Sequence, residues 1–197
     1  YKDENKQKAS EILSFTRISV LITALLIIAV ILIFSSFISK TILGDSNLTL
    51  EVKISAIAIF FASLNGFQIG ALSGLERFKQ ISIINVLNGL ISLPILIFSA
   101  YYYSVLGVVI GLLIVNAILW LSSSIYLQKE IKKEKIFFHL KGLKENLKII
   151  KDFSLPSFLS SLMISPVILI CNSLLVGNTD DGYLQMGFYD AAYNFAY

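Results

Sequence analysis

The sequence alternates between long apolar runs and short clusters of charged residues. Four runs, over residues 18–39, 54–75, 81–103 and 105–127, contain no Asp, Glu, Lys or Arg. Each has about the twenty residues that a helix, rising about 1.5 Å per residue, needs to cross a hydrocarbon layer about 30 Å thick. Helix is the predicted conformation, because an open strand would leave backbone groups unpaired in lipid.

A basic segment and a second set of apolar runs follow these four spans. Residues 153–176 form a fifth apolar run, and residues 184–197 form the beginning of another. The basic segment lies between the fourth and fifth runs, and its apolar residues recur at helical spacing. This pattern predicts an amphipathic connector helix over residues 136–152, lying in the lipid head-group layer. The alternative is a soluble partner bound by this basic helix. We therefore divide the chain into residues 1–135, the connector 136–152, and residues 153–197.

Composition excludes a soluble protein. Hydrophobic residues make up 56% of the chain and charged residues 15%, whereas soluble domains have about 25% charged residues. The same composition excludes a disordered chain and a soluble nucleic-acid binder. A disulfide scaffold is also excluded, since Cys171 is the single cysteine in this sequence. Because the first residue is Tyr1 and the last run stops at Tyr197, we expect a fragment of a longer membrane protein.

The basic residues are concentrated in alternate loops. If the spans cross in turn, fourteen of the sixteen Lys and Arg residues fall on one side; the other side receives only Lys40 and Lys53. Basic loops remain in the cytoplasm. We therefore expect the amino-terminal end to be cytoplasmic.

Small and polar residues inside the spans suggest where helices meet. Small residues at four-residue spacing allow close backbone approach between helices in lipid. The predicted helix-packing residues are Ala58, Ala62, Gly66, Gly70 and Gly74 in the second span, with Gly107 and Gly111 in the fourth. Asn65 and Gln68 share a helix face, where buried amides usually bond to a neighbouring helix.

The fifth span combines a polar stripe with two prolines. The stripe consists of Ser154, Ser157, Ser161, Ser165 and Asn172. Together with Pro156 and Pro166, which permit a bend, it suits the wall of a water-filled path for substrate. The alternative is that the serines bond to carbonyl groups of their own helix while packed against another helix.

Four segments resemble a known family. One is the opening of the chain, YKDENKQKASEILSFTRIS, which is similar to the loop entering the family's third helix. The segment GALSGLERFKQISIINVLNG, joining spans two and three, resembles the corresponding stretch of bacterial polysaccharide flippases. These are the O-antigen and capsule repeat-unit exporters of the multidrug/oligosaccharidyl-lipid/polysaccharide superfamily. FSLPSFLSSL resembles the opening of the family's seventh helix, and MGFYDAAYNFAY the start of its eighth. The matching residues are Gly74, Glu76, Arg77, Phe78, Pro156, Gly187, Tyr189 and Ala191.

The resemblance implies a fold, a function and partners. The fold is an all-α integral membrane bundle of two six-helix lobes, of which this chain supplies about helices three to eight. The implied function is export of lipid-linked oligosaccharide repeat units across the bacterial cytoplasmic membrane by alternating access, with membrane lipid and a polysaccharide polymerase as partners. We expect no catalytic residue, metal or cofactor, and no nucleic acid. The alternatives are a cation-coupled multidrug exporter of the same fold and a membrane-embedded glycosyltransferase or ligase.

Overall fold

The structure, a computed structural model, describes residues 2–134, 159, 167–168, 170–176 and 181–196. These residues contain helices and the turns between them, with no strand among them. The chain divides into two compact units, residues 1–141 and 142–197. The connector predicted at residues 136–152 lies outside the described residues.

The first unit is a bundle of long helices in which the chain reverses direction three times. Helix α1 extends over Lys2–Phe37 and continues into a π-helical turn, Ile38–Ile42. A 3₁₀ turn, Ser46–Leu48, leads into α2, Thr49–Gly74. Helical structure then extends over Phe78–Glu134, interrupted at Ser104. We name the helices on the two sides of this break α3 (residues 78–103) and α4 (residues 105–134).

The α1–α2 connection is held by short-range polar contacts. The hydroxyl groups of Ser39 and Thr49 are hydrogen-bonded at 2.8 Å. Gly44 takes a φ of 72°, which glycine adopts without a steric penalty. The Asp45 carboxylate accepts a hydrogen bond from the Asn47 backbone N–H at 2.8 Å. These contacts reverse the chain between the two helices.

The α2–α3 connection is a Schellman motif built on a glutamate. The Arg77 N–H donates to the Leu72 carbonyl, and the Glu76 N–H donates to the Ser73 carbonyl, both at 2.9 Å. This pairing satisfies the last carbonyl groups of a helix and needs a left-handed residue, usually glycine. Here Glu76 takes that conformation, with a φ of 58°. The turn places Arg77 at the start of α3.

The α3–α4 pair is a tight antiparallel hairpin. Ser104 turns the chain with a φ of 51°. Beyond it, an added Cβ at Gly107 would overlap the backbone carbonyl of Ser99, and one at Gly111 would overlap the Ser99 hydroxyl. At the far end of the hairpin, Gln80 donates a hydrogen bond to Glu130 at 3.1 Å.

Small residues and serines fill most of the bundle's contacts. The fully buried residues include Ala56, Leu72, Ser39 and Ser123, at 0% exposure. A buried apolar cluster lies where α2, α3 and α4 meet, formed by Ala71, Leu72, Ile84, Leu127 and Ile131. Large side chains instead cover the exterior of the bundle. Small buried residues with an apolar exterior are typical of helices packed in lipid.

Helix α1 begins earlier than the hydrophobic pattern indicates. The predicted span starts at residue 18, but the helix starts at Lys2. Its 36 residues extend over about 54 Å, more than a hydrocarbon layer needs. Ser10 and Ser14 are buried, at 3% and 4% exposure, and the Ser14 hydroxyl donates to the Ser10 carbonyl at 2.8 Å. Packing of this polar end extends the helix past the apolar run.

The described part of the second unit contains two helical pieces. Residues 170–176 are helical, and α5 extends over Gly182–Ala196. Gly182 begins α5 so close to Val176 that an added Cβ would overlap the Val176 carbonyl. The described part of the predicted fifth span is limited to residue 159, residues 167–168 and residues 170–176.

Candidate functional site

The predicted substrate path falls largely outside the described residues. Ser154, Ser157, Ser161 and Ser165 lie there, as does Pro156. Asn172 is described: it lies in a helical segment, and its side chain is half-buried. Ile170, two residues before Asn172 and so on the opposite side of the helix, is 56% exposed. Lining of a path by these residues stays a prediction.

The small-residue ladder of α2 divides into two parts. Ala58 is buried, at 7% exposure. Gly66, Gly70 and Gly74 instead line a groove of about 710 Å³ between α1 and α2, and an added Cβ at any of them would meet nothing within 4 Å. Ala62 is exposed. The close contact predicted along this ladder is therefore not found at its three glycines, because the facing residues of α1 stand back from them.

The two amides of α2 have different surroundings. Asn65 accepts a hydrogen bond from the Ser123 hydroxyl of α4 at 2.6 Å, which is the contact between helices that the sequence suggested. Gln68 is 6% exposed, and its side-chain oxygen is buried with no hydrogen-bond partner among the residues that the structure describes. Leaving a buried acceptor unpaired costs about 1–3 kcal/mol.

Gln68 lies in the wall of a second cavity, of about 380 Å³, between α1, α2 and α4. We name this cavity the basic pocket. Its described lining consists of Arg17, Leu21, Leu64, Phe67, Gln68, Trp120, Ser124, Gln128, Ile131 and Lys132. On α4, Trp120, Ser124, Gln128 and Lys132 recur every fourth position, and Ile131 lies three residues after Gln128, so these residues form one helix face.

The basic pocket is polar at one end and apolar at the other. Helices α2 and α4 are parallel, since Asn65 is hydrogen-bonded to Ser123 and, further along both helices, Leu72 belongs to the same buried cluster as Leu127 and Ile131. Gln68 and Lys132 therefore lie toward the end of the bundle that carries the α2–α3 turn, while Leu64 and Trp120 lie deeper. The described lining contains two cations, Arg17 and Lys132, and no carboxylate.

The α2–α3 turn is joined to the end of α4 by ion pairs. The Arg77 Nε atom lies 2.7 Å from Glu130 Oε2, and its Nη2 atom lies 2.5 Å from Glu134 Oε1. The Glu130 side chain is only 10% exposed. In the family motif identified from the sequence, Arg77 thus joins helices, Glu76 forms the turn, and Gly74 and Phe78 are exposed.

The second motif lies in α5. Gly187 and Ala191 are exposed, and Tyr189 is 53% exposed. An added Cβ at Gly187 would meet nothing within 4 Å. The described part of this unit therefore presents the motif on a helix surface.

Sequence reasoning missed the basic pocket. It counted Arg17 and Lys132 only toward orientation, and it treated Gln68 only as a packing residue. A signal was present in α4, where Trp120, Ser124, Gln128 and Lys132 follow at four-residue intervals. The convergence of that face with Gln68 and Arg17 depends on how three helices pack, which no single helix pattern contains.

The fold defines a helical integral membrane protein. In the described residues, Ala9–Ile42, Ser46–Gly74 and Phe78–Glu134 are long and apolar enough to cross a membrane, and the last of these folds back at Ser104. A family model described as "Polysaccharide biosynthesis protein" matches residues 1–197, and the chain belongs to that family. This confirms the resemblance found in the sequence. Neither the curated proteins nor the solved structures contain a match to the chain.

Proposed function

We propose that the protein is a flippase that moves lipid-linked oligosaccharide repeat units across the bacterial cytoplasmic membrane for surface polysaccharide synthesis. The observation that carries the proposal is the family match over residues 1–197, in a chain whose described helices are long and apolar enough to span a membrane. Moving a charged sugar head group through hydrocarbon unaided would cost tens of kcal/mol. A polar route within a protein lowers that barrier.

Alternating access is the mechanism we propose. It requires separately packed bodies that can rock about a central site. The division of the chain into two compact units, residues 1–141 and 142–197, supports such a mechanism. Within the first unit, the Arg77 ion pairs and the Asn65–Ser123 hydrogen bond tie α2, α3 and α4 together, which favours their movement as one body.

The proposal is tested by locating the lipid-linked repeat unit in cells that lack the protein. We expect the unit to be synthesised but to accumulate on the cytoplasmic face. A glycosidase that cannot cross membranes should then cleave it in inverted vesicles and not in intact spheroplasts. Restoring the protein should restore cleavage in spheroplasts and surface polysaccharide together.

Two other outcomes would overturn the proposal. Failure to synthesise the lipid-linked unit would indicate an enzyme acting earlier, such as a glycosyltransferase. A normal distribution of the unit, combined with increased sensitivity to cationic drugs, would indicate a drug exporter.

A further inference from the structure

The basic pocket has the chemistry of a lipid-binding site. Its volume of about 380 Å³ falls within the range of about 300–1,000 Å³ typical of small-molecule pockets. Cations at one end suit a phosphate group, and the apolar inner end, with Leu21 and Leu64, suits a hydrocarbon chain. An amphiphile lying along α4 would place its phosphate group beside the cations and its hydrocarbon chain against the apolar residues.

The buried side chain of Gln68 gives a second reason to expect a ligand in the basic pocket. This side chain is more than nine-tenths buried and lines the pocket, yet its oxygen has no hydrogen-bond partner in the described part of the chain. An amide exchanges its oxygen and nitrogen by a half-turn of the terminal torsion. Either atom can therefore face the pocket, and the oxygen can accept a hydrogen bond from a hydroxyl group of a ligand.

Trp120 adds a surface for such a ligand. Its indole lines the pocket below Ser124 and Gln128 on the same face of α4, and its ring centroid lies 5.5 Å from that of Phe61, at an interplanar angle of 54°. Contact with Phe61 holds the ring against α2. A flat apolar ring beneath a polar rim is suited to the boundary between a head group and its hydrocarbon chain.

From these features we propose that the basic pocket binds an anionic amphiphile with a phosphate ester next to free hydroxyl groups. The phosphate lies between Arg17 and Lys132, and a hydroxyl group donates to the Gln68 oxygen. Phosphatidylglycerol and a polyprenyl-pyrophosphate-linked sugar share this chemistry. This proposal does not depend on the proposed flippase function, because the pocket could bind such a head group whether or not the protein transports it.

Binding can be measured at the pocket itself through the fluorescence of Trp120, whose indole lines the pocket. The intact protein, purified and stripped of lipid, would be titrated with lipids that carry brominated chains, which quench indole fluorescence on contact. A Trp120→Phe variant gives the background. Phosphatidylglycerol, phosphatidylcholine with the same chains, and the polyprenyl-pyrophosphate-linked sugar are compared, and unlabelled inorganic pyrophosphate is used as a competitor.

We expect the anionic hydroxylated lipids to bind at least tenfold more tightly than phosphatidylcholine. Lys132→Gln should remove most of that preference. Lys133→Gln is the matched control, because Lys133 is exposed and absent from the pocket lining. Gln68→Leu should weaken binding about fivefold without lowering the melting temperature of the lipid-free protein, because its oxygen has no bond to lose.

The outcomes separate the sources of the ligand. Tighter binding of phosphatidylglycerol assigns the pocket to membrane phospholipid, and tighter binding of the pyrophosphate-linked sugar assigns it to the transported class. Competition by inorganic pyrophosphate shows that the phosphate is the recognised group. Equal affinity for phosphatidylcholine, or equal losses in Lys132→Gln and Lys133→Gln, would overturn the proposal. Unchanged affinity in Gln68→Leu would overturn the hydroxyl contact.

Discussion

At the scale of single residues, Glu76 occupies a backbone position that favours glycine. A residue with a Cβ atom pays about 1–2 kcal/mol in the left-handed region, and the exposed Glu76 side chain makes no compensating contact with any residue that the structure describes. We expect Glu76→Gly to stabilise the protein by about 1 kcal/mol, measured as a rise in the melting temperature of the purified protein. Glu76→Ala is the control, since it removes the carboxylate and keeps the strain. An equal rise in both variants would contradict this explanation.

The residue that follows Glu76 is predicted to be sensitive to substitution. Arg77→Ala would leave Glu130 buried without its cation, and breaking a buried pair in this way costs about 3 kcal/mol. The melting temperature should therefore fall, whereas Lys79→Ala at an exposed position should leave it unchanged. Arg77→Ala combined with Glu130→Gln should recover part of the loss, because no buried charge is then left unpaired. No recovery in the double variant would show that Arg77 acts through packing alone.

At the scale of helices, glycines with the same spacing have different roles. Gly107 and Gly111 lie against α3, but Gly66, Gly70 and Gly74 face an open groove. We expect Gly107→Ala to destabilise the α3–α4 hairpin by about 2 kcal/mol, because the added methyl group overlaps backbone that cannot move aside easily. Gly89→Ala is the matched control in α3, since nothing lies within 4 Å of its added Cβ. Thermal unfolding would compare the two, and equal stability would contradict the close contact.

The helices themselves could be predicted from the sequence, but their contacts could not. Apolar runs indicate helices because lipid leaves the backbone no other partner. The runs on the two sides of Ser104 are each long enough to cross the membrane once, so a turn is predicted between them. The burial of Ser10 and Ser14 carries no signal in hydropathy, so the amino-terminal extension of α1 was missed. The glycine ladder has the same spacing whether it faces a helix or a groove. Spacing shows that residues share a face, whereas the opposing helix decides what that face meets.

At the scale of the whole molecule, the first unit has two distinct ends. The turn containing Asp45 joins α1 to α2, and the break at Ser104 joins α3 to α4. Both lie at the same end of the bundle, because successive helices alternate in direction. The α2–α3 turn and the carboxyl end of α4 are joined at the other end by the pairing of Arg77 with Glu134. Among the residues of this unit that the structure describes, most of the Lys and Arg residues are found at that second end. We therefore propose that this end faces the cytoplasm.

This orientation predicts which positions a membrane-impermeant reagent reaches. In a background without Cys171, single cysteines at Asp45 and Ser104 should react with a charged maleimide added to intact spheroplasts. Cysteines at Lys79 and Lys133 should react only in inverted vesicles. All four positions are exposed in the structure, so a difference in labelling reports the side of the membrane rather than burial. Labelling of position 133 from outside would reverse the proposed orientation and would place the basic pocket at the opposite face of the membrane.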